Sequence, residues 1–527
     1  MRNIFHEEPE VRASSNIAGN LTDLWQKKRV TVLVPILNVA LYICVAMSIM
    51  LFIERLYMTC VILGIKFLGK KRYTKYRLDA LKEEVEKKKK EYPKVLVQIP
   101  MYNEREVYKL SIGAVCALSW PSQYLIVQVL DDSTNKSIRD MVQAECEKWS
   151  CKGVNVKYEN RDNRSGYKAG ALREGLQKEY VQDCKFVAIF DADFQPDDKF
   201  LWKTIPYLLE NPELGLVQAK WKFVNADECL MTRLQEMSLD YHFNVEQEVG
   251  STTCQFFGFN GTAGVWRIEA INDAGGWKDR TTVEDMDLAV RASLRGWKFI
   301  FVGDLPVKNE LPSTFKTYRF QQHRWSCGPA NLFKKMTKEI IFCERVSIWK
   351  KIQVVYAFFF VRKIIAHWVT FLFYCVVIPA CAVVPEVYLP KLVAIYIPAI
   401  TTLLNSGGTK RSLHLIVFWI LFENVMSLHR SKAALIGLLE ANRVNEWVVT
   451  EKLGNATRQR PSNLRSPKKR QCLGERIHIG EIYVGIYLLI CAIFNMRLRN
   501  DHFFVYLFMQ SVAFFIVGFG YVGIIPN

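Results

Sequence analysis

Residues 186–193, Phe186-Val-Ala-Ile-Phe-Asp-Ala-Asp193, join a short apolar run to two aspartates that lie two positions apart. A run of this length and composition predicts a buried β-strand. At the bend after such a strand, this spacing lets both carboxylates face one divalent cation, and hard oxygen ligands suit Mg²⁺ or Mn²⁺. Asp191 and Asp193 are therefore candidate metal ligands, with two unrelated surface aspartates as the alternative.

Similar β-rich runs recur on both sides of this stretch, between residue 95 and about residue 335. The predicted strands are Val95–Ile99, Leu125–Leu130, Val154–Tyr158, Phe186–Phe190, Leu216–Ala219 and Phe299–Val302. Helical patterns lie between them at Tyr167–Tyr180 and Glu228–Val249. This alternation favours an α/β domain with a mostly parallel, Rossmann-like sheet. Ligands bind at the carboxyl ends of the strands in such sheets, so polar residues there are candidate site residues.

Three polar clusters follow the first three predicted strands. They are Gln98-Ile-Pro-Met-Tyr-Asn-Glu104, Leu130-Asp-Asp-Ser133 and the basic, glycine-containing stretch Arg161–Leu172. The paired aspartates suit a base and ribose hydroxyls, and Lys168 with the neighbouring arginines can reach a diphosphate. An ordinary turn, a helix N-cap and a solvated loop are the respective alternatives.

Two further clusters precede the return to apolar sequence. Val283-Glu-Asp-Met-Asp287 lies ahead of a helical run, and it offers a general base if the fold brings it to the metal pair. Gln321-Gln-His-Arg-Trp325 offers a planar cation for phosphate and an aromatic face on which a sugar ring can stack. A helix start and a tryptophan at a membrane interface are the alternatives.

Long apolar segments flank this region, and half of the 527 residues are hydrophobic. Their clustering predicts a membrane protein, with Val30–Ile53 as an uncleaved anchor. The formal net charge of +18 is explained mostly by membrane flanks and a solvated surface, because a diphosphate substrate needs few cations. The 14 cysteines show neither CxxC pairs nor zinc-site spacing, which indicates free thiols.

These patterns divide the chain into eight segments. They are a polar tail (1–29), a transmembrane anchor (30–68), a charged linker (69–94), the α/β domain (95–335), interfacial helices (336–363), a transmembrane pair with a re-entrant or lumenal segment (364–429), a basic loop (430–476) and a transmembrane hairpin (477–527). The positive-inside rule places the basic loop on the cytoplasmic side. Two predicted spans separate that loop from the α/β domain, so parity puts both on one face of the membrane.

The order of these clusters resembles the processive family 2 glycosyltransferases, whose signature D, DxD, [ST/E]D and QxxRW is flanked by transmembrane helices. The matching elements are Asp132, Asp191-Ala-Asp193, Glu284-Asp285 and Gln321-Gln-His-Arg-Trp325. The resemblance covers residues 95 to 335 and, in layout, the membrane part. It implies a GT-A fold inserted between transmembrane helices and an inverting single displacement.

A narrower resemblance is to the plant cellulose synthase-like A branch, the mannan and glucomannan synthases. The stretches that carry it are Leu230–His242, Phe256–Arg267 and Ser326–Phe333. In addition, Trp447–Gly454 is similar to the gating-loop motif FxVTxKG of bacterial cellulose synthase, although Trp replaces Phe and Leu453 is extra.

The family resemblance also implies roles for individual residues. The implied donor site consists of Tyr102, Glu104, Asp132, Lys168, Asp191, Asp193 and Arg324. Asp285 is the implied catalytic base, and Asp132 is also required for activity. The implied acceptor site consists of Phe259, Asn260, Gly261, Thr262, Glu284, Gln321 and Trp325. Thr450 and Lys452 belong to the implied gating loop.

The resemblance further implies the substrates and the surroundings. We expect GDP-mannose as donor with GDP-glucose as a substitute, Mg²⁺ or Mn²⁺ as cofactor, and a growing β-1,4-mannan or glucomannan chain as acceptor. The implied location is the Golgi membrane, in contact with lipid, with a cytosolic catalytic domain; protein co-factors or a homo-oligomer stay open, and nucleic acid is not an expected partner. The alternatives are a β-1,4-glucan synthase of the sister C-type branch, a nonprocessive lipid-linked glycosyltransferase, and a transporter with a nucleotide-sensing domain.

Overall fold

The computed structural model describes residues 24, 26–69, 92–161, 163–406, 408, 411–441, 476–498 and 502–523. Its strands are β1 (Val95–Met101), β2 (Leu125–Asp131), β3 (Val156–Asn160), β4 (Phe186–Ile189), β5 (Leu214–Phe223), β6 (Gly264–Arg267) and β7 (Lys298–Asn309). Most of the predicted charged linker and of the basic loop, including Thr450 and Lys452, lies outside the described residues.

Fifteen helices are numbered here in chain order. In the membrane-anchor and α/β parts they are α1 (Gln26–Leu68), α2 (Tyr108–Cys116), α3 (Lys136–Ser150), α4 (Tyr167–Leu176), α5 (Ile205–Glu210), α6 (Leu230–Tyr241), α7 (Glu248–Thr253), α8 (Ile268–Asp273), α9 (Glu284–Leu294) and α10 (Phe315–Ile341). Those that follow are α11 (Ile348–Val383), α12 (Leu392–Ser406), α13 (Ile416–Leu439), α14 (Ile479–Leu498) and α15 (Phe503–Gly518).

The seven strands form one mixed sheet with the order β3-β2-β1-β4-β6-β5-β7. Strand β6 is antiparallel to both of its neighbours, and the other paired strands are parallel. The predicted mostly parallel sheet is therefore confirmed, although β6 was not predicted. Because β1, β2 and β4 run parallel, their carboxyl ends meet at one edge, where Asp132 N donates to Met101 O over 3.0 Å.

Helices cover both faces of the sheet, which explains why the central strands are apolar without alternation. In β1, Val95, Val97 and Ile99 pack on the face covered by α2 and α3. Leu96 points to the opposite face, against α4, α9 and α10. Each fully buried side chain of this kind contributes about 1.5–3 kcal/mol, so these two layers hold the sheet edge in place.

Within the described residues, three helices are long and apolar enough to cross a membrane: Gln26–Leu68, Ile348–Val383 and Ile479–Arg497. The chain is thus a membrane protein, as the sequence predicted. Two shorter apolar helices, Leu392–Ser406 and Phe503–Gly518, accompany them. The first of these coincides with the segment that the sequence predicted to be non-spanning or re-entrant.

The first long helix, Gln26–Leu68, covers the predicted anchor segment 30–68 and continues past the apolar run Val30–Ile53 through two charged residues. Arg362 Nε donates to Glu54 Oε1 over 2.6 Å, and Arg55 Nη1 donates to Glu246 Oε1 over 3.0 Å. Because both charges are buried against partners of opposite sign, they do not end the helix. They instead join it to α11 and to the α/β domain.

Helix α9 is anchored at its first turn by an ion-pair cluster centred on Asp287. Asp287 is fully buried, and its carboxylate accepts from Arg280 Nε and Arg291 Nε over 2.8 Å each. Arg291 also donates to the carbonyl of Gly276. This cluster fixes the start of α9, where Glu284 and Asp285 lie.

We expect Asp287→Ala to destabilise the protein by about 3 kcal/mol, because it leaves two arginines without their shared partner. Thermal unfolding of the detergent-solubilised chain measures this as a lower Tm. Asp140→Ala removes an exposed aspartate from α3 and should leave the Tm unchanged. Equal Tm values for the two variants would show that the cluster does not hold α9.

Candidate active site

Two adjoining cavities lie at the carboxyl edge of the sheet. The first has a volume of about 200 Å³, and the second, of about 290 Å³, extends from it towards the membrane helices. Trp221, Asn260, Asp285, Gln321 and Trp325 are among the residues that line both. The two cavities therefore meet at the predicted base and the predicted sugar-stacking tryptophan.

Lys168 links three parts of the first cavity. Its ammonium donates to Asp191 Oδ1 over 2.5 Å and to the carbonyl of Gly261 over 2.8 Å. Although burial alone would lower it, the pKa of Lys168 is raised by the charges of Asp191, Glu284 and Asp285. The positive charge of Lys168 is thus retained at a place where the phosphates of a nucleotide could bind.

Asp132 lies in the first cavity and is held by an arginine fork. Arg161 Nε and Nη2 donate to its two carboxylate oxygens over 2.8 and 2.5 Å. Arg161 also donates to the carbonyls of Ser165 and Tyr167 in the glycine-containing stretch. The sequence suggested that the arginines near Lys168 bind a diphosphate. In the structure, Arg161 instead orients Asp132 and the loop that contains Ser165 and Tyr167.

Arg164, by contrast, lines the first cavity directly. Its guanidinium carbon lies 3.4 Å from the centroid of the Tyr102 ring, within the range of a cation–π contact. Glu104 lines the same wall. The predicted donor residues Tyr102, Glu104, Asp132, Lys168, Asp191, Asp193 and Arg324 all line this cavity.

The aspartate pair follows β4 as predicted, and both carboxylates line the first cavity. Thr262 Oγ1 accepts a hydrogen bond from Asp191 N over 2.9 Å, and Asp193 Oδ2 accepts one from Glu310 N over 3.4 Å. Among the described residues, no three His, Cys, Asp or Glu side chains are grouped to hold a metal alone. Two carboxylates fit a Mg²⁺ or Mn²⁺ ion whose other ligands are phosphate oxygens and water.

Glu284 and Asp285 form the N-terminal turn of α9 and are both close to Lys168. Burial raises the pKa of each carboxyl. The charge of Asp285 raises the pKa of Glu284 further, whereas the Lys168 ammonium opposes the rise in both. Asp285 Oδ1 also accepts from the backbone N–H of Met286 over 2.7 Å. An elevated pKa makes Asp285 a stronger base than an exposed aspartate.

Arg324 and Trp325 are presented by α10. Burial lowers the pKa of Arg324, and the charges of Glu284, Asp191 and Asp285 oppose that shift, so its guanidinium faces these carboxylates. The ring centroids of Trp221 and Trp325 are 6.5 Å apart. Two neighbouring indoles at the junction of the cavities offer apolar faces on which sugar rings can stack.

A buried network from α13 holds this part of α10. Arg430 Nε donates to Gln322 Oε1 over 2.7 Å, and Arg430 Nη2 donates to Tyr318 OH over 3.0 Å. Arg430 is also paired with Glu423. The sequence predicted Arg430 as the start of the basic loop, but the structure places it in α13 and on the wall of the second cavity.

The predicted acceptor residues are divided between the two cavities. Phe259 lines the second, Gly261 and Glu284 line the first, and Asn260, Gln321 and Trp325 line both. Thr262 is fully buried behind Asp191 and lines neither. The predicted gating-loop residues Thr450 and Lys452 lie outside the described residues.

Several residues that line the cavities were not predicted as site residues. Among them are Asn309 and Glu310 in the first cavity, His242, Glu246, Gln247, Arg362, Lys363 and His367 in the second, and Trp221 in both. Polar residues at the end of β7 could have been found by the strand-end rule. The residues of the second cavity come from helices whose sequence pattern does not tell which neighbour they face.

Comparison with known proteins gives consistent matches. The family model Glycosyl transferase family 2 matches residues 96–266, and Glycosyl transferase family group 2 matches residues 186–401. A glucomannan 4-beta-mannosyltransferase of Cyamopsis tetragonoloba is 70% identical over 100% of both chains. One of Arabidopsis thaliana is 62% identical over 95% of this chain and 94% of its own. A solved mannosyltransferase from Pyrobaculum calidifontis, in complex with GDP-Man and Mn²⁺, is 16% identical with a TM-score of 0.45, covering 74% of this chain and 99% of its own.

We expect Lys168→Gln to weaken binding of GDP in the presence of Mg²⁺ by about 10- to 100-fold, because it removes a charge-assisted hydrogen bond to phosphate. Isothermal titration calorimetry of the purified chain measures the Kd. Lys152→Gln, at an exposed position that lines neither cavity, is the control and should bind GDP as the wild type does. An unchanged Kd in Lys168→Gln would remove Lys168 from the nucleotide site.

Proposed function

The chain belongs to glycosyl transferase family 2 and, within it, to the plant glucomannan 4-beta-mannosyltransferases, and from this premise we propose the reaction of its site. It is a glycosyltransferase with a GT-A domain inserted between membrane helices. We propose that it transfers mannose, and at times glucose, from GDP-sugars to a growing β-1,4-mannan or glucomannan chain of cell-wall hemicellulose. The observation that carries the proposal is that Asp285 lies where the two cavities meet.

The first cavity is proposed to hold the GDP-sugar. Asp132 and the Tyr102–Arg164 pair would contact the nucleoside, and Lys168 and Arg324 would contact the diphosphate. These two cations face three carboxylates in the structure, so the diphosphate adds charge to an already acidic site. Binding of the donor therefore needs an additional cation.

Asp191 and Asp193 are proposed to hold that cation, Mg²⁺ or Mn²⁺. When bound, the ion neutralises the charge that develops on the leaving diphosphate. Lys168, which lies beside Asp191, would also neutralise charge on the leaving diphosphate. Its hydrogen bond to the Gly261 carbonyl holds that carbonyl in position. Lys168, Arg324 and the bound ion would thereby bring three cations to the side of the sugar from which GDP departs.

The acceptor is proposed to enter from the second cavity. Asp285 takes the proton of the acceptor 4-hydroxyl. At the same time, the oxygen of that hydroxyl forms a bond to C1 of the α-linked mannose. The bond between C1 and the phosphate oxygen breaks on the opposite side, and its electron pair leaves with GDP. Attack from the face opposite GDP inverts the anomeric centre and produces the β-linkage.

The second cavity also supports a processive reaction. Phe358, Arg362 and Lys363 of α11 and Arg430 of α13 line it beyond Asp285. A polymer that has gained one sugar could therefore move along this cavity, towards the membrane helices, without leaving the enzyme. Trp221 and Trp325 would stack against its terminal sugars.

We further propose that the protein resides in the Golgi membrane with its catalytic domain in the cytosol, where nucleotide-sugars are made. The basic loop, with Thr450 and Lys452, would then lie on the same face as the donor site. A basic segment in that place could cover the bound diphosphate and exclude water.

The test of this function is incubation of the purified full chain with labelled GDP-mannose, GDP-glucose or UDP-glucose, followed by sizing and linkage analysis of the product. We expect a long β-1,4-linked polymer from the GDP-sugars and stronger competition by GDP than by UDP. Polymer from UDP-glucose alone would favour a glucan synthase. A glycolipid would indicate a nonprocessive transferase, and no product would favour a nucleotide-sensing protein.

We expect EDTA to abolish sugar transfer and Mg²⁺ or Mn²⁺ to restore it, because the acidic site needs a counter-ion for the diphosphate. The measurement is the initial rate of incorporation from GDP-mannose. Asp193→Asn should require a higher concentration of the ion. Full activity in the chelator would contradict the metal role of the aspartate pair.

We expect Asp285→Asn to lower kcat by at least about 10²–10⁴-fold with little change in the Kd for GDP, because only the base is lost. In the wild type, kcat/KM should fall as the pH falls through the pKa of Asp285. Since burial raises that pKa, this acid limb should lie above the pH at which an exposed aspartate titrates. A variant with wild-type kcat would rule out Asp285 as the base.

A further inference from the structure

A π-helical turn interrupts the helix that leads from α6 to α7. It spans His242–Gln247 and follows directly on the stretch Leu230–His242, which the sequence comparison with the A branch singled out. A π-helical turn closes on residue i+5 instead of i+4, and here His242 and Gln247, five positions apart, come within 3.2 Å of each other. Here it turns His242, Glu246 and Gln247 towards the second cavity.

Hydrogen-bonding contacts link the three side chains to Asn260, and His242 donates to both Glu246 and Asn260 when both of its ring nitrogens carry protons. His242 Nδ1 lies 2.9 Å from Glu246 Oε2, and His242 Nε2 lies 3.1 Å from Asn260 Oδ1. Gln247 Nε2 donates to the same Asn260 oxygen over 3.1 Å and to the carbonyl of Gly258 over 3.1 Å. The oxygen of the Asn260 amide is therefore directed at the π-helical turn.

Asn260 belongs to the loop that supports the catalytic base. The next residue, Gly261, has φ +76°, and a Cβ there would lie 2.8 Å from Asp285 Oδ2. Ala263 has φ 54°, a left-handed conformation that a residue with a side chain adopts only when its surroundings hold it. The hydrogen bonds to Asn260 from the π-helical turn, and that to Thr262 from Asp191, provide such support.

The hydrogen-bonding capacity of Asn260 is not fully used by the protein. Within the part of the chain that the structure describes, Asn260 Nδ2 is buried and has no hydrogen-bond partner. A buried donor without a partner is unfavourable, because it has lost its hydrogen bond to water without gaining another. Asn260 lines both cavities beside Asp285, so a bound sugar that displaces the side chains covering Nδ2 would supply the missing partner through a hydroxyl.

Glu246 contacts His242 on the side away from Asn260, and it accepts a hydrogen bond from Arg55 of the first membrane helix. Arg55 Nη1 donates to Glu246 Oε1, while His242 occupies Oε2. Although burial opposes it, the hydrogen bond from His242 and the charge of Arg55 keep the pKa of Glu246 well below its usual range. Glu246 is thus a fixed carboxylate that cannot easily turn away from His242.

We propose that His242 and Glu246 are positioning residues for the acceptor: they hold the Asn260 amide against the terminal sugar whose hydroxyl Asp285 deprotonates. This inference rests on the proposed function. Neither side chain needs to touch the reacting atoms, because both act through Asn260. Their loss would leave the donor site intact, but the acceptor hydroxyl would no longer be held in line with C1 of the donor sugar. Water could then attack C1 instead of the acceptor.

The test compares His242→Ala with the wild-type full chain in membranes, using GDP-mannose and a soluble β-1,4-manno-oligosaccharide. We expect the KM for the oligosaccharide to rise about tenfold, which corresponds to one lost hydrogen bond, with the KM for GDP-mannose unchanged. The ratio of GDP released to mannose transferred should also rise. His242→Gln, which retains an amide donor, should recover part of the acceptor KM.

Glu246→Gln is the second variant. If His242→Ala misfolds and loses GDP binding, Glu246→Gln tests the positioning role in its place. It should change the same two readouts in the same direction. Glu236→Gln is the matched control, because Glu236 lies on the same helix but lines neither cavity. An unchanged acceptor KM, or an equal loss for donor and acceptor, in the folded variants would overturn the inference. A wild-type chain that transfers no mannose would instead refute the proposed function.

Discussion

The hydrogen-bonded position of the Lys168 ammonium is the constraint on which the rest of the site depends. It joins the aspartate pair after β4 to the Gly261 loop and lies close to the first turn of α9. Without this cation, three buried or half-buried carboxylates would repel one another in a cavity that excludes much of the solvent. With it, the carboxylates stay together, and burial still raises the pKa of Asp285, which suits this residue to act as a base.

The donor half of the site was predictable from the sequence because strand ends are local features. In β1, β2 and β4, an apolar run stops at polar residues, and a parallel sheet must bring such ends to one edge. The six predicted strands each overlap an observed one. Strand β6 was missed because it follows a glycine-containing loop and its sequence, Gly264-Val-Trp-Arg267, offers only two apolar residues.

The acceptor half could not be predicted in the same way, because it depends on how separate helices pack. His242 and Glu246 look like ordinary polar residues of an amphipathic helix, and the helix pattern was predicted correctly around them. Both lie in a π-helical turn and line the second cavity, and no local pattern marks that turn. Likewise, Arg430 looked like the first residue of a solvated loop, whereas packing of α13 on α10 buries it beside Gln322.

The two halves of the site also differ in what holds them. The first cavity is lined by the α/β domain and the first part of α10, whereas the second needs Phe358, Arg362, Lys363 and His367 from α11 and Arg430 from α13. Glu246 receives a hydrogen bond from Arg55 of α1 on one oxygen and contacts His242 with the other. The membrane helices are therefore structural parts of the acceptor side. A domain cut out at residues 95–335 would keep the groups that line the donor cavity, but it would lose one wall of the second cavity and the arginine that fixes Glu246.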